Sequence, residues 1–276
     1  MTKLTRLLAL LAIALASYRL DAQVTSDRLL RAASEPENWL TYSGAYTSQR
    51  HSLLRQIDLS NVRNLEQKWV LQNQVFGAWQ SSPLVVNGVM FVTQRPNDVM
   101  AVDAKTGRVF WLYRYTNSGV QQVCCGANNR GVAMLGDALF MGTLDAHLVA
   151  IDAKNGKPLW NIAVADDKLA YSITLAPLVV KDKVIVGVGG AEYGIRGFID
   201  AYDAQTGKLA WRFYTIPGPG EPGNDTWPGE SWKYGGGSAW ITGAYDKDTN
   251  ALYWPVGNPG PDFDRHVRVG DNLFTN

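Results

Sequence analysis

From residue 83 onward, apolar and polar positions alternate in short runs. PLVVNGVMFVTQ (83–94), GVAMLGDALFMGT (131–143) and PLVVKDKVIVGVG (177–189) each read as two strands meeting at a tight tip. The tips are Asn87-Gly88, Gly136-Asp137 and Lys181-Asp182, residue types that tolerate hairpin backbone. After each pair comes a second, self-similar hairpin: AVDAKTGRVFW (101–111), AIDAKNGKPLW (150–160) and AYDAQTGKLAW (201–211). Here Ala-x-Asp closes one strand, the Thr/Asn-Gly pair turns the chain with glycine at positive φ, and the next strand carries a tryptophan.

Two hairpins make a four-stranded unit, and its recurrence about every 50 residues is the spacing of β-propeller blades. The fold class expected is all-β, a propeller of four-stranded blades. GGSAWITGAYDKDTNALYWPVGN (236–258) begins a fourth copy, and Trp69 in LEQKWVL reads as the Trp strand of a blade completed elsewhere. Trp69, Trp111, Trp160 and Trp211 are expected to be wedges between blades, because repeats bury shared faces. A β-sandwich would not produce so long and regular a period. Propellers close with typically 4–8 blades. Residues 23–276 are therefore expected to be part of a ring truncated at the C-terminus, with open edges that favour aggregation.

Composition supports a folded core, with 46% apolar and 18% charged residues. The N-terminus MTKLTRLLALLAIALASYRLDAQ has a basic start, an apolar run from Leu7 to Ala16 too short to span a bilayer, and small residues at Ala16 and Ala22. Residues 1–22 are expected to be a secretory signal peptide. Its removal takes Lys3, Arg6, Arg19 and Asp21, moving the formal charge from +1 to −1. No field for nucleic acid is implied. Export would place Cys124 and Cys125, the chain's two cysteines, where disulfides persist. The residues alone leave two independent thiols and a vicinal bridge both open.

Hydrolase and nucleotide signatures (Gly-x-Ser-x-Gly, His-Glu-x-x-His, a P-loop) are missing, and His51, His147 and His266 have no metal spacing. Six irregular segments between strands remain as candidate chemistry: WQSSP (79–83), CCGANNRG (124–131), YSITLAP (171–177), GGAEYGIRG (189–197), GESWKYGGGSAW (229–240) and GNPGPDFD (257–264).

In this order and spacing, these segments resemble the quinoprotein alcohol dehydrogenases, the methanol/ethanol dehydrogenase group that uses pyrroloquinoline quinone (PQQ). The resemblance runs from about residue 36 to the C-terminus and includes the opening NWLTYSGAYTSQRHSLLRQIDLSNVRNLEQKWV (38–70). It implies an eight-bladed ring, of which this chain covers about the first half, with PQQ on the axis beside Ca²⁺ or a lanthanide. It assigns Glu192 and Asn258 to the metal, oxygen donors suited to a hard cation. Trp240 becomes the floor under the quinone, and Gly235, Gly236 and Gly237 allow close backbone approach. Arg130 becomes a guanidinium fork for a PQQ carboxylate, Thr174 a hydroxyl donor, and Gly190 and Ala191 backbone neighbours of the cofactor. Gln80 stands where the family usually has Glu, so a neutral amide replaces a carboxylate. Cys124–Cys125 becomes a disulfide forming the ceiling.

The resemblance further implies periplasmic oxidation of a primary alcohol to an aldehyde, a c-type cytochrome as electron acceptor, and room for peripheral membrane association. It puts the general base, an aspartate, several tens of residues after the GNPGP segment and therefore beyond Asn276, which would leave this chain alone inactive. Asp262 and Asp264 are read as part of a surface loop rather than as substitutes. A different class, a non-catalytic propeller scaffold of the cell envelope, would explain the Trp repeats equally well, but not Cys124-Cys125, Glu192, Trp240 and Asn258 together.

Overall fold

The computed structural model describes residues 24–73, 75–118 and 122–275. The export signal expected at residues 1–22 lies outside them.

Three four-stranded antiparallel sheets follow one another along the chain, each in simple sequential order. The first holds β1 (Leu84–Val86), β2 (Val89–Gln94), β3 (Asp98–Asp103) and β4 (Val109–Tyr113). The second holds β5 (Ala133–Leu135), β6 (Ala138–Gly142), β7 (His147–Asp152) and β8 (Pro158–Ala163). The third holds β9 (Leu178–Val180), β10 (Lys183–Gly187), β11 (Phe198–Asp203) and β12 (Leu209–Tyr214). A hairpin of β13 (Ala244–Asp246) and β14 (Ala251–Tyr253) supplies the first pair of a fourth. The all-β architecture is the expected one. A short helix, α1 (Ser26–Leu30), is capped by Thr25, whose hydroxyl accepts from the Arg28 amide. No helix among the described residues is long and apolar enough to cross a membrane.

The third strand of each blade is buried on both faces: Val99 to Val102, Leu148 to Ile151 and Phe198 to Tyr202 are all within the core. Alternation weakens there because each sheet is packed between neighbours, as in fully covered sheets. The fourth strands are half exposed.

The repeat motif is explained by one contact. Gly107, Gly156 and Gly207 close their turns at φ 75°, 72° and 69°, and their amides donate to the carbonyls of Asp103, Asp152 and Asp203, all at 2.8 Å. Each glycine is also the seat for the tryptophan of the preceding repeat. A Cβ at Gly107 would lie 2.6 Å from the Trp69 ring, one at Gly156 2.7 Å from Trp111, and one at Gly207 3.2 Å from Trp160. The indole N–H groups then donate to the carbonyls of Ala104, Ala153 and Ala204 at 3.2, 3.0 and 3.2 Å. Opposite each strand-borne tryptophan stands a fully buried alanine, in the pairs Ala101–Trp111, Ala150–Trp160 and Ala201–Trp211.

One expectation is corrected: Trp69 docks like the others but lies in no strand. Trp211 is 40% exposed, and no glycine turn packs on it among the described residues.

Candidate functional site

Backbone hydrogen bonds between the irregular segments build the frame of the site. The Ser82 amide donates to the Arg130 carbonyl (3.0 Å) and the Arg130 amide to the Thr174 carbonyl (3.1 Å). Ser172 pairs with Gly189 as an isolated bridge. The Ala239 amide donates to Val188 (2.9 Å) and the Gly257 amide to Ser238 (2.8 Å). Segments remote in sequence are thereby stitched edge to edge, and their side chains converge.

They converge on a cavity of about 220 Å³ lined by Gln80, Cys124, Cys125, Arg130, Thr174, Gly190, Glu192 and Trp240, among others. All but one of the residues expected to face the cofactor lie on it. The exception, Ala191, lines an adjoining cavity of about 340 Å³ together with Asn258 and Asp262, and Glu192, Ser238 and Trp240 border both spaces.

Arg130 is the site's buried cation, with 8% exposure. One guanidinium nitrogen donates to the Thr174 carbonyl at 3.1 Å, and the guanidinium carbon lies 4.9 Å from the Trp240 ring centre. Burial lowers its pKa from the ordinary arginine value, yet guanidinium titrates so high that it stays charged. The Trp240 indole, 42% exposed, presents apolar surface to the cavity. The Cys124 and Cys125 Sγ atoms are 2.02 Å apart. Cys125 and Gly126 have φ of 69° and 94°, and the Asn128 side chain donates to the Cys125 carbonyl at 2.8 Å, fixing this turn.

Glu192 projects from a one-turn 3₁₀ element, Ala191–Tyr193, flanked by Gly190 at φ 121° and Gly194 at φ 75°. The Ala191 amide donates to the Ser238 hydroxyl at 2.9 Å, holding that turn against the segment leading to Trp240. Among the described residues, no group of three or more His, Cys, Asp or Glu is gathered for a metal. The side-chain oxygens around the adjoining cavity are the Glu192 and Asp262 carboxylates, the Asn258 amide and the Ser238 hydroxyl, a set that suits a hard cation and not a soft one.

Other sequence readings change. Gly235, Gly236 and Gly237 do not line the cavity. Their missing side chains admit Ile216 and Trp227, the Gly260 amide, and Ile216 with Thr215, so they serve close packing of neighbouring segments. Asp262 is not on a freely solvated loop: it lines the adjoining cavity and one carboxylate oxygen is fully buried. Ser172, Asn128 and Ser238 are lining residues that sequence reasoning did not single out. Their segments were flagged, but no local pattern marks which member faces inward.

The family model described as PQQ: Glucose/ethanol/alcohol dehydrogenase, beta-propeller domain, matches residues 39–276. The quinohemoprotein alcohol dehydrogenase ADH IIB of Pseudomonas putida is 46% identical over 252 residues, covering 86% of this chain and 36% of that protein. The lanthanide-dependent methanol dehydrogenase of Methylacidiphilum fumariolicum is 37% identical over 273 residues, covering 91% and 45%. Among solved structures, quinohemoprotein alcohol dehydrogenase ADHIIG from Pseudomonas putida HK5 superposes with a TM-score of 0.86 at 40% identity, covering 94% of this chain and 40% of that one. A europium-containing methanol dehydrogenase gives 0.82 at 37% identity, covering 90% and 47%. The chain thus spans less than half the length of these relatives. With its docked-tryptophan blades and this match over most of its length, the chain belongs to the PQQ-dependent glucose/ethanol/alcohol dehydrogenase family of β-propellers.

Proposed function

We propose that residues 23–276 contribute part of the cofactor site of a periplasmic PQQ- and cation-dependent dehydrogenase that oxidises a primary alcohol to its aldehyde and passes electrons to a c-type cytochrome. The observation that carries this reading is the convergence of Arg130, Trp240, Cys124, Cys125 and Glu192 on one cavity. A cavity with a buried guanidinium on one side and an indole on another suits a flat polyanion. A scaffold propeller needs only the docked tryptophans and gives no reason to bury Arg130 beside a cavity.

Bound there, PQQ would supply a quinone carbonyl carbon that accepts hydride, and Ca²⁺ or a lanthanide would polarise that carbonyl. The chain's own residues bind and orient. Arg130 offers the N–H groups it does not spend on Thr174 to a cofactor carboxylate. The Thr174 hydroxyl and the Gln80 amide supply neutral hydrogen bonds, and the backbone at Gly190 and Ala191 borders the cofactor. Trp240 forms a flat floor and a Cys124–Cys125 disulfide the opposing lid, excluding water from the quinone face. Glu192 and Asn258 offer oxygen donors to the cation.

Reconstitution of the full-length protein with PQQ and Ca²⁺ or a lanthanide, followed by dye-linked alcohol oxidation, tests the proposal. Turnover of primary alcohols is the expected result, with quenching of Trp240 emission on PQQ binding. No turnover with any primary alcohol overturns the dehydrogenase reading.

A further inference from the structure

Two aspartates in the 260–264 segment behave differently. The Asp264 side chain accepts from the His266 amide at 3.1 Å and caps the turn Arg265–Val267. Asp262 makes no such use of its carboxylate. Its Oδ1 is buried and has no hydrogen-bond partner among the described residues. The residue lines the same cavity as Glu192 and Asn258, and among the described residues no lysine, arginine or histidine lines that cavity.

A carboxylate oxygen withdrawn from water without a donor is destabilising, and more so when ionised beside a second carboxylate. Both costs are relieved by a cation held between oxygens. We propose that Asp262 is a second carboxylate ligand of the cation site, acting with Glu192 and the Asn258 amide oxygen. The inference rests on the cation reading of Glu192 and Asn258 given above and adds a residue to it. Two carboxylates carry the charge that balances a divalent ion, and with an amide oxygen they supply at least three of the six to eight oxygens that Ca²⁺ takes.

The test is equilibrium dialysis of Ca²⁺ against the full-length protein saturated with PQQ, comparing wild type with Asp262→Asn, Glu192→Gln and Asp264→Asn. The expected result is Ca²⁺ affinity lowered tenfold or more in Asp262→Asn and in Glu192→Gln, and unchanged in Asp264→Asn. Affinity lost in Glu192→Gln but unchanged in Asp262→Asn overturns the Asp262 assignment alone. No Ca²⁺ uptake by the wild type overturns the cation reading beneath it. If Asp262→Asn does not fold, a crystal structure of the Ca²⁺-loaded wild type decides. An Asp262 oxygen within about 2.6 Å of the ion supports the assignment, and any longer separation overturns it.

Discussion

The guanidinium of Arg130 sits 4.9 Å from the centre of the Trp240 indole, at the meeting of two segments that separate blades. The pair places a fixed positive charge beside an apolar plane, and the Thr174 carbonyl holds the guanidinium in that pose. Lysine would keep the charge but lose the planar fork and its stacking. Arg130→Lys is therefore expected to weaken PQQ binding by roughly tenfold, and Arg130→Ala by about a further tenfold, as for loss of a charge-assisted hydrogen bond. Fluorescence titration with PQQ measures both. Equal affinity for wild type and Arg130→Lys would remove the fork from the account.

The tryptophan docking contact makes a coupled prediction. Trp111→Ala should destabilise by about 3 kcal/mol, the low end for such truncations because Trp111 is only partly buried. Gly156→Ala should cost about 2 kcal/mol in the wild-type background, since the added Cβ meets the Trp111 ring at 2.7 Å and the residue has φ 72°. With Trp111 already removed, only the backbone part should remain, about 1 kcal/mol. Urea unfolding of both single variants and the double variant closes the cycle. Strict additivity would mean that glycine and tryptophan do not act as a pair.

This pairing also explains what was legible in the sequence. The Asp-Ala-x-x-Gly turn is local: Asp103 Oδ1 accepts from the amides of Lys105 and Thr106 at 2.9 and 3.1 Å, so five residues specify it. Repetition of a local rule yielded the blades. Trp211 follows the same Asp-Ala-x-x-Gly-Lys turn as Trp160 yet is more exposed, because no receiving turn packs on it among the described residues. The environment of Asp262 is likewise made by residues 191–192 and 238–241 as well as 255–258, and no short window around residue 262 contains the first two. The functional segments were readable because a family resemblance spans all six. The inward-facing members Ser172 and Ser238 were not, because facing is decided by bridges between blades.

Gly190 tests how tightly the site's backbone is held. It has φ 121°, and a Cβ there would lie 2.3 Å from the Ala170 carbonyl oxygen, so alanine requires the backbone to move. Gly190→Ala should destabilise by about 2 kcal/mol, in the range for strained backbone positions. It should weaken PQQ binding more than Gly220→Ala, where the added Cβ meets nothing within 4 Å. Thermal unfolding and PQQ titration of the two variants read the two effects separately.

Asp145 provides the pH dependence. Burial alone would raise its carboxyl, but the Thr143 hydroxyl at 2.5 Å, the Ser118 amide at 2.8 Å and the Tyr115 hydroxyl at 3.1 Å hold it below the ordinary carboxylate range. In return, burial and the Asp145 charge push the Tyr115 hydroxyl up to about 12. Thr143 also receives the Ile173 amide at 2.9 Å, so this carboxylate ties the segment after β4 to the chain leading to Thr174. A depressed folded pKa contributes stability that is present above the unfolded value of about 3.9 and is lost as pH falls through the folded value. Asp145→Asn should thus cost about 2 kcal/mol near pH 7, as for loss of a buried charged acceptor. The deficit should begin to shrink below about pH 4, where the unfolded chain's carboxylate takes up its proton, and should be lost as pH falls through the lower folded value. Urea unfolding at pH 7, 5 and 3 measures the gap. A constant difference across that range would show that Asp145 acts through packing and not through its charge.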